Sequence, residues 1–390
     1  MNTTPDRARL DALANQGIAA LQRGDARTAR PCFEAVAASG QANVQMQLLL
    51  AQSCDMLDDR PAARAALTHV IAQDANNPYA LVMMAETLSR DGDDRAAYGW
   101  YARALDASTL YPQLPPDLVQ RLSQAEAEVA AIQSRFTDTM NRALVTAGVD
   151  ADAAGERFGE ALTILTGRAQ PFLQQPTNFY FPGLPQRAFY DPAEFAWVPA
   201  LEAAMPAIRA EAEAVLANRA GVAPYVEAPP DRPAKAHSLM NDPRWSAFHL
   251  YREGQPLAGN ADRCPATMAA LAGLPLPQIA GRSPMALFSI LAPHTHIKPH
   301  SGMLNTRLIC HLPLIVPPDC RLRVGNHTRT VEAGKMLMFD DSIEHEAWND
   351  SGDVRVVLIF EIWRPELSAA ERQGLTALFE SVAGYDADQA

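Results

Sequence analysis

The sequence predicts two fold classes in one chain: helical repeats over the first hundred residues, then a β-barrel or sandwich. Three observations predict it. Residues recur at a fixed period of 34 from Gly17 to Tyr101. Composition shifts near Gln170 to a stretch rich in proline and aromatics and poor in charge. From Trp245 onward, short apolar runs alternate with gaps holding Pro, Gly, Asn and Asp, the pattern of several short strands joined by turns.

The repeat is phased at three positions. Gly17, Ala51 and Ala85 share the period, as do Ala29, Ala63 and Ala97, and Phe33, Leu67 and Tyr101. Small residues permit close helix crossings, and large apolar ones fill the gap beside them. The turn-like pairs Gly24-Asp25, Asp58-Asp59 and Gly92-Asp93 keep step. This is the tetratricopeptide (TPR) pattern, one helical hairpin per repeat stacked on the next. Such repeats bind peptides or partner proteins, or brace a neighbouring domain.

Tyr111-Pro112 and Pro115-Pro116 end the array. Leu118, Leu122, Ala125, Val129 and Ile132 then recur at helical spacing, which predicts a helix over 117–147. A second helix is expected over 150–166. The division is therefore 1–110 repeats, 111–169 helical bridge and 170–390 β-rich domain. Within the last, residues 170–199 read as ordered coil, 200–219 as helix and 220–241 as loop. Strands are expected at 245–251, 286–292, 306–316, 320–324, 335–340 and 354–363, with a helical segment at 264–274. A final amphipathic helix follows, with Ser368 as N-cap.

Composition narrows the function. Lys and Arg total 33 against 45 Asp and Glu, a formal net charge of -12. That balance argues against a general nucleic-acid or anionic-membrane binder. No apolar run approaches the roughly 20 residues that span a bilayer, and the N-terminus lacks an apolar signal core. The five cysteines are scattered and odd in number, without CxxC spacing, which reads as reduced thiols in a cytoplasmic protein.

The stretch from Leu287 to Pro365 carries the chemistry. His300 and His345 lie far apart in sequence, each beside a strand; such a pair suits a metal held across a barrel mouth. His294, His296 and His311 compete for that role. In TRLICHLPLIV, Arg307, Ile309 and His311 share one face while Leu308, Cys310, Leu312 and Leu314 share the other. One polar face inside an apolar protein points to a polar lumen. Arg355 interrupts an apolar strand, and a buried cation needs a carboxylate. That carboxylate is either internal, from Glu361 or Asp341, or belongs to an anionic co-substrate.

At these residues the chain resembles the aspartyl/asparaginyl β-hydroxylases, a family of iron(II)- and 2-oxoglutarate-dependent dioxygenases. The likeness covers roughly 179–367. It runs through FYFPGLP…FYDP…F…WVP, then FSI…P…TH…PH.G..N.RL..HL, then GK.L.FDDS.EHE.W.D…R…F..W.PEL. TPR-like repeats also precede the catalytic domain in that family. The resemblance implies a double-stranded β-helix (jelly roll). It places His300 and His345 as iron ligands and Arg355 on the distal carboxylate of 2-oxoglutarate. Trp245, Ser289 and His311 fall on further co-substrate contacts, with Arg307 grouped beside them. Gly302 stands where many such enzymes carry a third, carboxylate ligand, and Ile309 stands where the family can have an arginine. The implied reaction uses dioxygen to hydroxylate an unactivated C–H bond, first the β-carbon of Asp or Asn in a peptide. The alternatives are a lipid acyl chain or other small molecule, or a catalytically idle repeat-based adaptor.

Overall fold

The computed structural model describes residues 7–150, 155–228 and 238–388, with side chains described through residue 382. It divides into two compact units, Met1–Arg168 and Ala169–Ala390.

Unit 1 is helical. Three hairpins follow one another: α1 (Arg7–Gln22) with α2 (Ala26–Ala38), α3 (Val44–Met56) with α4 (Arg60–Gln73), and α5 (Pro78–Arg90) with α6 (Asp94–Ser108). The 34-residue period is visible in the turns. Gly24, Asp58 and Gly92 adopt positive φ, ending each first helix. The next residue, Asp25, Asp59 or Asp93, caps the second helix by accepting a backbone N–H bond from Thr28, Ala62 or Ala96. Ala29, Ala63 and Ala97 are completely buried. Gly17 must be glycine for a related reason: a Cβ there would lie 2.8 Å from the Phe33 ring. Then come α7 (Pro116–Thr146) and α8 (Glu156–Leu165). Leu118, Leu122, Ala125 and Ile132 of α7 join the same apolar core as the hairpins. The expected second bridging helix starts later than position 150, at Glu156; residues 151–154 lie outside the described residues.

Unit 2 holds β1 (Phe189–Tyr190), α9 (Val198–Ala217), β2 (Val222–Pro224), β3 (Trp245–Arg252), β4 (Gln255–Pro256), α10 (Ala258–Ala261) and α11 (Pro265–Leu271). After these come β5 (Ala286–Leu291), β6 (Thr295–His300), β7 (Arg307–Ile315), β8 (Cys320–Val324), β9 (His327–Thr330), β10 (Leu337–Phe339), β11 (His345–Asn349), β12 (Arg355–Trp363) and α12 (Ala369–Asp388). The major sheet runs β1-β10-β7-β12-β5-β3-β2, with β4 on β3; the minor sheet runs β6-β11-β8-β9. Every strand pair is antiparallel, giving the double-stranded β-helix. Its strands alternate as read from sequence. Leu308, Cys310, Leu312 and Leu314 pack with Leu201 and Ile208 of α9 and Leu271 of α11. Ile309 instead joins Leu291, Ile297, Leu322 and Val357 between the sheets. Ser368 and Glu371 close a reciprocal cap at the start of α12, at 2.8 and 3.3 Å.

Besides the short strands β1, β2 and β4, the structure has three strands that the apolar pattern does not predict: β6, β9 and β11. THIKPH, HTRT and HEAWN lack the apolar alternation of a half-buried strand, and ladder bonds to β8 and to one another hold them in place. The segment 220–241, read as loop, contributes β2 to the sheet edge; residues 229–237 lie outside the described residues.

Candidate active site

The inner face of unit 2 encloses a cavity of about 250 Å³. Its walls hold every site residue expected from the sequence: Trp245 on β3, Ser289 on β5, His300 at the end of β6, and Arg307 and His311 on β7. His345 at the start of β11 and Arg355 at the start of β12 complete the set. Strand alternation explains the gathering, because each residue sits at an inward-facing position of its strand.

His300 and His345 are cross-strand partners. Their ring centroids lie 4.2 Å apart. His300 Nδ1 is 2.8 Å from the Lys298 carbonyl, and His345 Nδ1 is 3.0 Å from the Ile343 carbonyl. A carbonyl only accepts, so each Nδ1 carries the proton and each Nε2 carries the lone pair. That tautomer is the one a metal ligand needs. Burial, reinforced by His300, pushes His345 down to about 3, so it stays neutral. The competing histidines go elsewhere. His296 faces Glu346 at 2.7 Å and stacks on Trp348. His294 stays outside the cavity lining. His311 lines the cavity, edge-on to Phe339, held neutral by burial and by the nearby Arg355 charge.

Gly302 and Asp341 explain the third position. A Cβ on Gly302 would lie 2.0 Å from Asp341 Oδ2. The Asp341 carboxylate therefore occupies the space a side chain at 302 would need. Among the described residues, no three His, Cys, Asp or Glu groups come together as a metal-binding set. Glu344 and Glu346 both pair with Arg323 on β8, away from the cavity.

The two arginines of the cavity differ sharply. Glu361 and Asp341 had been considered internal partners for Arg355; the register gives both to Arg307 instead. Arg307 Nη1 donates to Glu361, and Nη2 donates to Asp341 at 3.1 Å. Those carboxylates outweigh burial and hold the Arg307 guanidinium above its ordinary range. With both forks engaged, Arg307 keeps only a buried, unpartnered Nε, a geometry that speaks against a co-substrate contact for this residue. Arg355 is 2% exposed, yet has no hydrogen bond or ion pair among the described residues, and its Nε is orphaned. Burial draws it down to about 10, countered only by the buried Cys320 thiol. Uncompensated burial of a cation costs several kcal/mol, so the site is built for an anion. Ser289 lies on the neighbouring strand, its Oγ accepting from Trp245 Nε1 at 3.1 Å, which leaves its hydroxyl hydrogen to donate. The Trp245 ring stacks on Tyr225 at 4.0 Å. Sequence reasoning passed over Tyr225; it lies in the proline-rich segment that carried no motif.

A family model for aspartyl/asparaginyl β-hydroxylase matches residues 202–365. Residues 202–365 of this chain are thus similar to the aspartyl/asparaginyl β-hydroxylase family. Unit 2 carries the match to a hydroxylase-family domain. The mouse aspartyl/asparaginyl β-hydroxylase is 40% identical over 136 residues, which is 34% of this chain and 18% of that protein. The ornithine lipid ester-linked acyl 2-hydroxylase of Rhizobium tropici is 37% identical over 196 residues, 50% of this chain and 66% of that protein. The chain spans less than a fifth of the length of the mouse relative and about two thirds of the rhizobial one. Among solved structures, PcrH from Pseudomonas aeruginosa matches 33% of this chain and 93% of its own at 20% identity and a TM-score of 0.29. No helix among the described residues is long and apolar enough to cross a membrane.

Proposed function

We propose that the hydroxylase-family domain is an Fe(II)- and 2-oxoglutarate-dependent dioxygenase. The observation that carries this reading is Arg355, a buried guanidinium without a carboxylate among the described residues, lining the same cavity as two histidines of matching tautomer. The donor set fits ferrous iron, which accepts imidazole nitrogen and keeps open positions for other ligands. When bound, the iron and the keto acid would supply the oxidising power that inserts one dioxygen atom into a C–H bond.

The protein's own part is binding and orientation. His300 and His345 offer Nε2 because the Lys298 and Ile343 carbonyls hold the proton on Nδ1. Arg355 presents a planar fork that matches a carboxylate bidentately. Ser289 adds a hydroxyl donor from the adjacent strand, itself oriented by Trp245. Ile297, Leu322 and Ile359 keep water from the walls.

For the target, the first reading is the β-carbon of Asp or Asn in a peptide, the substrate that names the family. The helical hairpins of unit 1 suit a peptide or protein partner, since stacked repeats build extended binding surfaces. A second reading, hydroxylation of a lipid acyl chain, is favoured by one specific observation. A substrate carboxylate would need a second cation, and Arg307, the other cation of the described cavity wall, is already paired twice. The rhizobial acyl hydroxylase is also matched over more of its length than the mouse protein.

The test is succinate formation by purified protein with ferrous iron and 2-oxoglutarate, with and without an Asp-containing peptide or a neutral acyl ester. Stimulation by the peptide selects the first reading, and stimulation by the ester selects the second. Absence of succinate under all conditions contradicts the dioxygenase.

A further inference from the structure

Four polar side chains outside the cavity are almost completely buried: Gln174, Asn305, Asp340 and Arg364, at 6%, 0%, 0% and 0% exposure. They come from four separate segments: the coil before β1, the β6–β7 connection, the β10–β11 connection and the end of β12. Their bonds close on one another. Arg364 Nη1 donates to Asp340 Oδ2 at 2.7 Å, and its Nη2 donates to the Pro185 carbonyl at 2.9 Å and to the Tyr190 hydroxyl. Gln174 Nε2 donates to the same Asp340 oxygen at 2.7 Å. Asn305 Nδ2 donates to Gln174 Oε1 at 2.9 Å and to the Phe181 carbonyl at 2.8 Å. Asp340 Oδ1 accepts from the backbone and hydroxyl of Ser342 at 3.0 and 2.6 Å.

Burying an ion pair in this way is seldom the most stable choice, since packed apolar residues of similar volume often do as well or better. What the network joins is informative. Asn305 lies in the connection that leaves His300, and Asp340 in the connection that enters His345. The coil crosses both: Gln175 N–H donates to the Ser342 carbonyl at 2.7 Å and Thr177 N–H to the Gly302 carbonyl at 2.9 Å. Gly302 N–H donates to the Asp341 carbonyl at 2.6 Å, joining the two connections directly. Each histidine sits at a strand terminus. The β6–β11 ladder shifts register between His345 and Ala347, so regular pairing weakens where the His300–His345 spacing is set.

We propose that Gln174, Asn305, Asp340 and Arg364 are positioning residues that fix the separation of His300 and His345 from outside the cavity. The inference rests on the reading of those histidines as a metal pair. The coil ahead of β1 then belongs to the site's supporting layer, although none of the four side chains lines the cavity.

Cobalt(II) titration of the metal-free full chain, followed by its visible absorption, tests this without turnover. His300→Ala identifies the signal that belongs to the site. Gln174→Met removes three hydrogen bonds of the network, to Asp340, the Pro185 carbonyl and Asn305, without stranding a charge. It should weaken cobalt binding about 10-fold, the lower end of the range for supporting residues around metal ligands, and shift the absorption bands. Tyr190→Phe, at the far end of the network, should give a smaller shift in the same direction. Leu271→Ala, in the apolar core beneath α11, serves as a control for loss of stability alone, and should leave both affinity and spectrum unchanged. Wild-type affinity and spectrum in both network variants, or an equal change in the control, overturns the positioning role. A wild-type chain that takes up no cobalt overturns the metal pair, and the positioning role with it.

Discussion

The helical unit and the lumen of the β unit bury polar chemistry in opposite ways. In the helical hairpins the phased positions Ala29, Ala63, Ala97, Phe33, Leu67 and Tyr101 are buried, and charged groups are spent on caps and surface pairs such as Arg60 with Asp91. In the lumen, Arg307, Asp341, Glu361, His311, His345 and Arg355 are all buried or nearly so. A protein interior penalises unpaired charge, so the first region is built for stability. The second keeps charge in the interior at a cost. Within the lumen the contrast repeats on a smaller scale: among the described residues, Arg307 is compensated by two carboxylates, and Arg355 by none.

The largest expected effect comes from disturbing the compensated arginine. Glu361→Ala leaves Arg307 with Asp341 alone and should destabilise the domain by about 3 kcal/mol, the lower end of the cost of breaking a buried pair, measured by urea unfolding. Arg355→Met should do the reverse. It removes an uncompensated cation, so the ligand-free protein should unfold at higher urea than wild type. An equal loss of stability in both variants would mean that Arg355 has structural support and would break the contrast.

His249 on β3 extends the comparison to pH. It faces the same way as Trp245 and Ala247, its Nδ1 is buried without a partner, and burial, with help from Arg252, lowers it to about 4. The unfolded chain takes up this proton near 6.5 while the folded chain resists until about 4. Its contribution is therefore complete above pH 6.5 and falls as pH drops through that window, by roughly 3 kcal/mol. His249→Gln should flatten the stability profile between those values, and an unchanged profile would remove His249 from the account.

Smaller effects belong to the helical elements. Ala63→Leu should overpack a crossing with no room and cost about 1–3 kcal/mol. Ser368→Ala opens the cap of α12 and should cost about 1 kcal/mol. Thermal unfolding of each variant checks both; a neutral Ala63→Leu would show that the crossing can relax.

The same contrast explains what could be read from the sequence. The hairpins were legible because their contacts are local: one period fixes the caps at Asp25, Asp59 and Asp93 and the crossings at Ala29, Ala63 and Ala97. The strong strands and the two faces of β7 were legible from alternation. The ownership of Glu361 and Asp341 was not, because it depends on the register by which Arg307 faces Trp363 across β7 and β12. Nor was the link from Gln174 to Asp340, which joins residues 166 positions apart and leaves no periodic trace. The polar strands β6 and β11, which end and begin at the two histidines, were visible only as neighbours of those histidines.

The central claim is that Arg355 waits for a carboxylate. The most direct measurement is calorimetric titration of 2-oxoglutarate into wild-type and Arg355→Met protein, each loaded with a redox-inert divalent metal. Binding to wild type, with loss of about 2–5 kcal/mol in the variant, is the predicted result. Equal affinity in the two proteins, or no binding to either, would contradict it.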